Sequence, residues 1–480
     1  MNRSSLYTIF LIIERSLGLL LTLFLLRYIS APEYVIWGQN IAIAAIGFQF
    51  LLFGTNESII KYFPTWSKAG NIQGNIIFLI MSMSILFLVL FASTIFLFSD
   101  QLTKLAYGAV YKKEYLIILL VFLAGEAYLY LVTDLLRSKK QILRSSFYKF
   151  SFNFFRVGIL IASLSVFELD FYNSLVVYSI YTVIFILFIL FFELKNFKFS
   201  PVNFSEHLDN FKKILNFGIP TMIATFFLLF HIYFDRFILA MYLDIKTLSN
   251  YILNSNIALN STFIANLVGF ALYPALSNRI KSHKSDQLVD IFVKYLLFFF
   301  GLIIPFLIMI YYFYPHFYYL YGSREFLIDR LQMLMLLIGY SLYGLYIIFS
   351  YLVYVFKGSK FSIKVTFFGM ITNALLNLLL IPEYEIYGAA LSLLVSFLFI
   401  VIYTKTISNT FVRWDFPWRK ITYILLRSLV LIIPIIISES IGVNFLTSLI
   451  VFAITIFIYL LIDYLSKFSF YRCLIFERKK

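Results

Sequence analysis

Twelve side chains able to do chemistry stand inside stretches that are otherwise apolar: Glu14, Arg15, Glu126, Asn153, Arg156, His231, Asp235, Arg236, Asn256, Asn260, Asn373 and Asn377. If those stretches cross a bilayer, each charge costs about 2.5–3.5 kcal/mol at mid-membrane and must face a protein interior or a wet cavity. Arg15 is adjacent to Glu14, but neighbours on a helix point about 100° apart, so the two need not pair. Arg15 is then either the cationic wall of a cavity or one half of a packing pair with another helix. Arg156 has Asn153 one turn away on the same face. A guanidinium beside an amide suits phosphate oxygens, which it binds bidentately; the plainer reading is an interhelical hydrogen-bond knot. Glu126, Tyr130 and Asp134 repeat every four residues and make one polar stripe. Glu126 is either a proton carrier or the counter-charge for Arg15 or Arg156. His231 and Asp235 lie one turn apart, followed by Arg236. The histidine can titrate or simply hydrogen-bond, and the Asp235-Arg236 pair reads as a gate or a helix clamp. The amides Asn256 with Asn260 and Asn373 with Asn377 recur at i, i+4. Together with Gln39, Asn40 and Gln49 they either hold helices together or meet sugar hydroxyls.

Other chemistry has no foothold. There is no phosphate-binding P-loop, no HExxH and no histidine cluster, so no cofactor and no metal is expected. The single cysteine, Cys473, excludes an internal disulfide. Glu33, Glu383 and Glu385 fall in loops too short for a glycosyltransferase site. The tyrosines at 311, 312, 314, 318, 319 and 321 read as an interfacial belt or a sugar-stacking surface. Arg427 is placed to snorkel. Pro220, Pro274, Pro305 and Pro434 predict kinks.

The elements that position these residues follow from composition. Of 480 residues 62% are hydrophobic and only 13% charged, too apolar for a soluble chain of this length. At about 1.5 Å per residue, some 20 apolar residues cross the hydrocarbon layer. The spans are 6–29, 35–54, 75–98, 115–136, 146–166, 172–192, 214–240, 250–276, 291–314, 331–356, 362–381, 387–408, 421–440 and 443–465. The fold class is an all-α integral membrane protein of about fourteen transmembrane helices. The first span is too long for a signal peptide and reads as a retained helix. With the N-terminus inside, 28 Lys and Arg lie in cytoplasmic segments, 7 in external ones and 4 within helices. Both termini are therefore expected in the cytoplasm. The formal charge of +15 belongs to these loops, and no nucleic acid is expected as a partner. The expected organisation is an N-lobe at 1–192, a cytoplasmic linker at 193–213, a C-lobe at 214–408, two appended helices at 409–465 and a basic tail at 466–480.

Several ordered motifs resemble one family. The run Leu26-Arg27-Tyr28-Ile29-Ser30-Ala31-Pro32-Glu33-Tyr34 after Glu14-Arg15 is similar to its first helix and loop, with an extra Ala before Pro32 and Val35 for the usual Gly. Phe53-Gly54, Tyr62-Phe63-Pro64, Phe217-Gly218-Ile219-Pro220, Asp235-Arg236-Phe237-Ile238-Leu239, Tyr273-Pro274-Ala275-Leu276-Ser277, Ile381-Pro382 and Tyr387-Gly388-Ala389-Ala390 continue the likeness in order. The chain thus resembles Wzx-type oligosaccharide flippases, whose superfamily also holds MATE exporters and lipid II flippases. The resemblance implies two six-helix lobes around a central cationic cavity, in the cytoplasmic membrane. It implies alternating access that carries a polyprenyl-diphosphate-linked oligosaccharide to the outer leaflet, driven by an ion gradient or membrane potential. Its partners would be that lipid-linked substrate, membrane lipids, and a polymerase and chain-length regulator of the same pathway. Arg15, Arg156 and Arg236 map as headgroup contacts, with only Arg236 resting on a motif. The competing readings are a MATE-like small-molecule antiporter, which would want an acidic cavity, an O-antigen polymerase or ligase, which would want a long external loop, and a structural scaffold.

Overall fold

The computed structural model describes residues 10–465 except 11–12, 14–16, 19–20, 23, 67–69, 110, 196, 198–203, 281–284, 321–325, 358–359, 435 and 437–444. Glu14, Arg15 and Cys473 lie outside the described residues. All regular structure among the described residues is helical, in two compact units. One is Met1–Leu253 with Ala374–Glu385; the other is Asn254–Asn373 with Ile386–Lys480.

The first unit follows from its caps and apolar runs. After a helical stretch ending at Tyr28, Ser30 N-caps α1 (Ala31–Leu52). The Ser30 backbone N–H and hydroxyl both donate to Glu33 Oε2 at 2.7 Å, and proline sits in the first turn where its missing N–H is harmless. The Ser-Ala-Pro-Glu motif is therefore a helix start. Phe53 and Gly54 then adopt left-handed φ of 52° and 63° and turn the chain into α2 (Thr55–Tyr62). There follow α3 (Gly70–Leu97), α4 (Ser99–Tyr107), α5 (Glu114–Ser138), α6 (Ile142–Ser165), α7 (Phe171–Leu194) and α8 (Phe204–Tyr242). Helix α5 is the hub, packing on α1, α2, α3, α6 and α7.

A Cβ on Gly54 would sit 2.1 Å from the Gly218 carbonyl oxygen, and one on Gly218 would sit 2.8 Å from that of Phe53. The Phe53-Gly54 and Phe217-Gly218 motifs are thus two sides of one backbone contact between the α1–α2 turn and α8. Ser58 Oγ donates to the Ile214 carbonyl at 2.9 Å, and the Lys61 ammonium lies 3.9 Å above Phe217, tightening it. At the end of α5, Asp134 pairs with Arg137 at 3.0 Å and accepts from Asn56 of α2 at 3.3 Å. The polar stripe expected over Glu126, Tyr130 and Asp134 therefore ends in a local clasp.

Helix α9 (Ile245–Leu259) runs from the first unit into the second, which holds α10 (Thr262–Ile280), α11 (Ser285–Leu320), α12 (Arg330–Lys357), most of α13 (Lys360–Asn409), α14 (Trp418–Leu429) and α15 (Phe445–Leu465). The span expected over 250–276 is two helices, because the chain turns at Asn260 and Ser261. Those expected at 362–381 and 387–408 form one run that breaks at Glu385, where φ is 51° and ψ is −126°. Asp329 starts α12: it accepts from the Leu331 N–H at 2.8 Å and from the Tyr387 hydroxyl at 2.9 Å. These bonds hold its carboxyl below its ordinary value of 3.8.

Two sequence expectations fail in the second unit. Tyr314 and Tyr318 are buried rather than interfacial, donating to the Ile328 carbonyl and to Asn254 Oδ1 at 3.2 and 2.8 Å. Arg427 does not snorkel: its guanidinium nitrogens are buried and lie 4.4 Å over the Tyr459 ring, where a cation–π contact takes the place of water.

Nine stretches among the described residues are long and apolar enough to cross a membrane, from Ala31–Leu52 to Phe361–Asn409. Their outward faces agree. Phe96 on α3 is 75% exposed and Phe191 on α7 is 67% exposed, with Leu86, Val89, Ile184 and Leu187 on the same two helices also exposed. Such surfaces suit lipid and not water. The protein is a multi-pass membrane protein. Helix α6 is long enough but is not among the nine.

Candidate functional site

Two of the three charges of α6 share a face with an amide. Lys149, Asn153 and Arg156 follow at i, i+4 and i+7, so they share a stripe about 10 Å long. Arg156 Nη1 donates to Glu126 Oε1 of α5 at 3.0 Å, and its Nη2 donates to Asn153 Oδ1 at 3.0 Å. The flat of the guanidinium lies 4.4 Å from the Phe152 ring centre and 5.2 Å from that of Tyr178 on α7. Gly125, next to Glu126, lets α7 come close: a Cβ there would be 2.6 Å from Thr182 Cγ2. The ion pair keeps some access, with 15% of the Arg156 side chain and 27% of that of Glu126 exposed. Of the two roles open to Glu126 as a counter-charge, the structure shows the one toward Arg156.

Lys149 belongs to the same stripe, and sequence reasoning passed over it although it lies within the span expected over 146–166. Its ammonium stands 4.1 Å above Tyr130, which stacks on Phe48 of α1 at 4.7 Å with the rings 9° from parallel. The signal was present: Lys149 is one helical turn before Asn153 and two before Arg156.

A second cluster lies where α8 meets α1 and α9. His231, Asp235 and Arg236 are fully buried. Tyr251 Oη donates to Asp235 Oδ2 in a very short bond, and the Arg236 backbone N–H donates to Asp235 Oδ1 at 2.7 Å. Arg236 Nη1 reaches the Gly38 carbonyl at 3.5 Å, with the guanidinium 4.7 Å over Tyr233. Close by along α1, Asn40 accepts from Tyr107 of α4 at 2.7 Å. Arg156 and Arg236 therefore bond to different partners, the first part-exposed and the second sealed.

The amides behave individually. Asn260 Nδ2 bonds the Asn256 carbonyl at 2.8 Å, filling the break between α9 and α10. Asn373 Nδ2 donates to Ser396 Oγ at 3.2 Å, and Asn377 is buried. Asn254, which the spacing argument passed over, is buried, donating to the Phe326 carbonyl at 3.0 Å and accepting from Tyr318. Among the described residues no group of three or more His, Cys, Asp or Glu is placed to hold a metal ion.

The fold has solved counterparts. A structure described as the lipid II flippase MurJ, inward closed conformation, superimposes with a TM-score of 0.74 at 18% identity, covering 98% of this chain and 99% of that one. An inward-facing multidrug resistance MATE family transporter of the MOP superfamily gives 0.65 at 14% identity, over 82% and 95%. A MOP superfamily transporter from Pyrococcus furiosus gives 0.55 at 14% identity, over 85% and 96%. No curated protein matches the sequence. The family described as polysaccharide biosynthesis protein matches residues 2–280, which hold both charged clusters of the first unit. This chain belongs to the polysaccharide biosynthesis protein family.

Proposed function

We propose that the protein is a flippase that moves a polyprenyl-diphosphate-linked oligosaccharide, such as an O-antigen, capsule or exopolysaccharide repeat unit, from the inner to the outer leaflet of the cytoplasmic membrane. The observation that carries this reading is the α6 stripe: two cations and an amide, part-exposed, in a membrane protein of a polysaccharide-synthesis family. A diphosphate needs such donors on its way through hydrocarbon, while the prenyl tail stays in lipid. In this reading the chain makes fourteen passes with both termini inside, its N-lobe and C-lobe alternate in access, and an ion gradient or the membrane potential drives the cycle. Arg156, Asn153 and Lys149 meet the headgroup, joined by Arg15 from the first helix; Arg236 reaches it only when the packing of α8 on α1 opens. Asn256 and Asn260, half-buried, face the saccharide, and the buried Asn373 and Asn377 reach it only when their packing opens. Glu14, Glu126, His231 and Asp235 are the coupling and gating groups.

The test is to deplete the protein in its host and measure, with an impermeant glycan-modifying reagent, which leaflet holds the lipid-linked oligosaccharide. Accumulation inside, restored by the wild-type chain but not by Arg156→Glu at equal protein level, is the expected result. Normal externalisation, with no second flippase in the genome, overturns the reading. The likeness to MATE transporters favours a small-molecule antiporter as the alternative, which predicts altered drug sensitivity on depletion and an unchanged leaflet distribution.

A further inference from the structure

The hydrogen-bonding edge of Arg156 is already used. Its two terminal nitrogens are committed to Glu126 Oε1 and Asn153 Oδ1, each at 3.0 Å, and its flat faces Phe152 and Tyr178. A diphosphate oxygen pair docks on that same two-nitrogen edge. A headgroup that docks there competes with Glu126 for it.

We propose that the substrate's diphosphate displaces Glu126 from Arg156, and that the displaced carboxylate takes up one proton, so that each headgroup bound brings one proton into the site. This rests on the flippase reading for the identity of the ligand. The balance is simple: the Arg156–Glu126 ion pair breaks, a guanidinium–phosphate pair forms, and one proton from solution adds to a Glu126 oxygen. Among the described residues the cation paired with Glu126 is Arg156. Helix α3 carries no charged residue and α1 only Glu33 at its start. The charges of α2, Glu57 and Lys61, lie with the Asp134–Arg137 clasp and Phe217. On helix α7, Tyr178 and Tyr181 are neutral, and Glu193 is paired with Arg144 of α6 at 2.5 Å. From α6, Lys149 rests on Tyr130. A bare carboxylate left among these groups is a desolvated charge, and a proton removes it. Its 27% exposure gives the proton a path.

The probe is a farnesyl-diphosphate-linked monosaccharide, a diester with no proton of its own to lose between pH 6 and 9. It is titrated against the full-length protein in nanodiscs, reading affinity together with proton uptake by an indicator dye in weak buffer. The wild type is expected to take up about one proton per probe bound, and its affinity to fall about tenfold per pH unit in the alkaline range. Glu126→Gln is expected to bind at least tenfold more tightly than wild type at pH 8, with no uptake and a flat pH profile. Glu126→Asp restores uptake, and Arg156→Gln binds weakly at every pH. Wild-type binding without proton uptake overturns the proposal and needs no variant to be read. An unchanged pH slope in Glu126→Gln overturns it equally, and in both cases the flippase reading stands. Absence of binding at any pH overturns it too, and the leaflet assay then decides whether the flippase reading falls with it.

Discussion

At the scale of single residues, the sealed cluster of α8 makes a sharp prediction about stability. Asp235 is fully buried and is satisfied by the Tyr251 hydroxyl and the Arg236 backbone N–H, and the positive charge of Arg236 acts on it. Tyr251→Phe leaves a buried carboxylate oxygen short of a donor, a loss of about 1–3 kcal/mol. Arg236→Gln strands the charge itself and costs more, about 3–5 kcal/mol. The double change Asp235→Asn with Arg236→Gln recovers most of the second loss, because the partners are removed together. Melting of the detergent-purified variants, with the double above the Arg236 single, checks the order. The identities of these residues were legible in the sequence, since a charge in an apolar run announces itself. Their partners were not. Nothing local distinguishes a pairing of Glu126 with Arg15 from one with Arg156, because partner choice depends on how α5, α6 and α7 approach, and Gly125 against Thr182 sets that approach. Lys149 was hidden for the opposite reason: near a helix end, a lysine looks like any loop cation.

At the scale of elements, glycine and caps do the positioning. Gly54 combines a left-handed φ of 63° with direct contact on the Gly218 carbonyl. Gly54→Ala is therefore expected to push the α1–α2 turn off α8, lowering both the yield of folded protein and surface glycan, whereas the same change at Gly158, where nothing lies within 4 Å, is silent. Comparing the two by immunoblot and glycan staining tests it. The α12 cap predicts a pH effect of fixed sign. The folded Asp329 carboxyl is held below 3.8 by the Leu331 N–H and then by the Tyr387 hydroxyl, so its stabilisation is present above about pH 4 and fades as pH falls through the folded value. Amide exchange in the first turn of α12 should speed up on acidification in the wild type and become flat in Asp329→Asn. The periodic signals found these helices and the break between 381 and 387, where Glu385 takes a positive φ that glycine or asparagine more usually adopts. They did not find the turn at Asn260–Ser261, which has no proline or glycine.

At the scale of the whole molecule, the lone cysteine is a practical advantage for topology. With Cys473→Ser as background, Lys104→Cys is expected to react with an impermeant maleimide in intact cells and Gln141→Cys only after permeabilisation, as the asymmetry of basic residues requires. The reverse pattern overturns the orientation. Architecture was the most legible property, because apolar length is additive along the chain; which helix touches which was not.

The charged face of α6 also has a consequence for how the protein is made. Lys149 and Arg156 weigh against this helix entering lipid unaided, since a cation at depth adds about 2.5–3.5 kcal/mol. Its neighbour α5 is apolar enough for two, and its Glu126 neutralises Arg156. Biogenesis should then proceed by hairpin: α6 waits at the translocon until α5 is beside it and the two leave together, paired. In a glycosylation reporter of membrane integration, α6 alone should stay in the aqueous phase, α5–α6 should integrate, and Glu126→Ala should weaken integration of the pair.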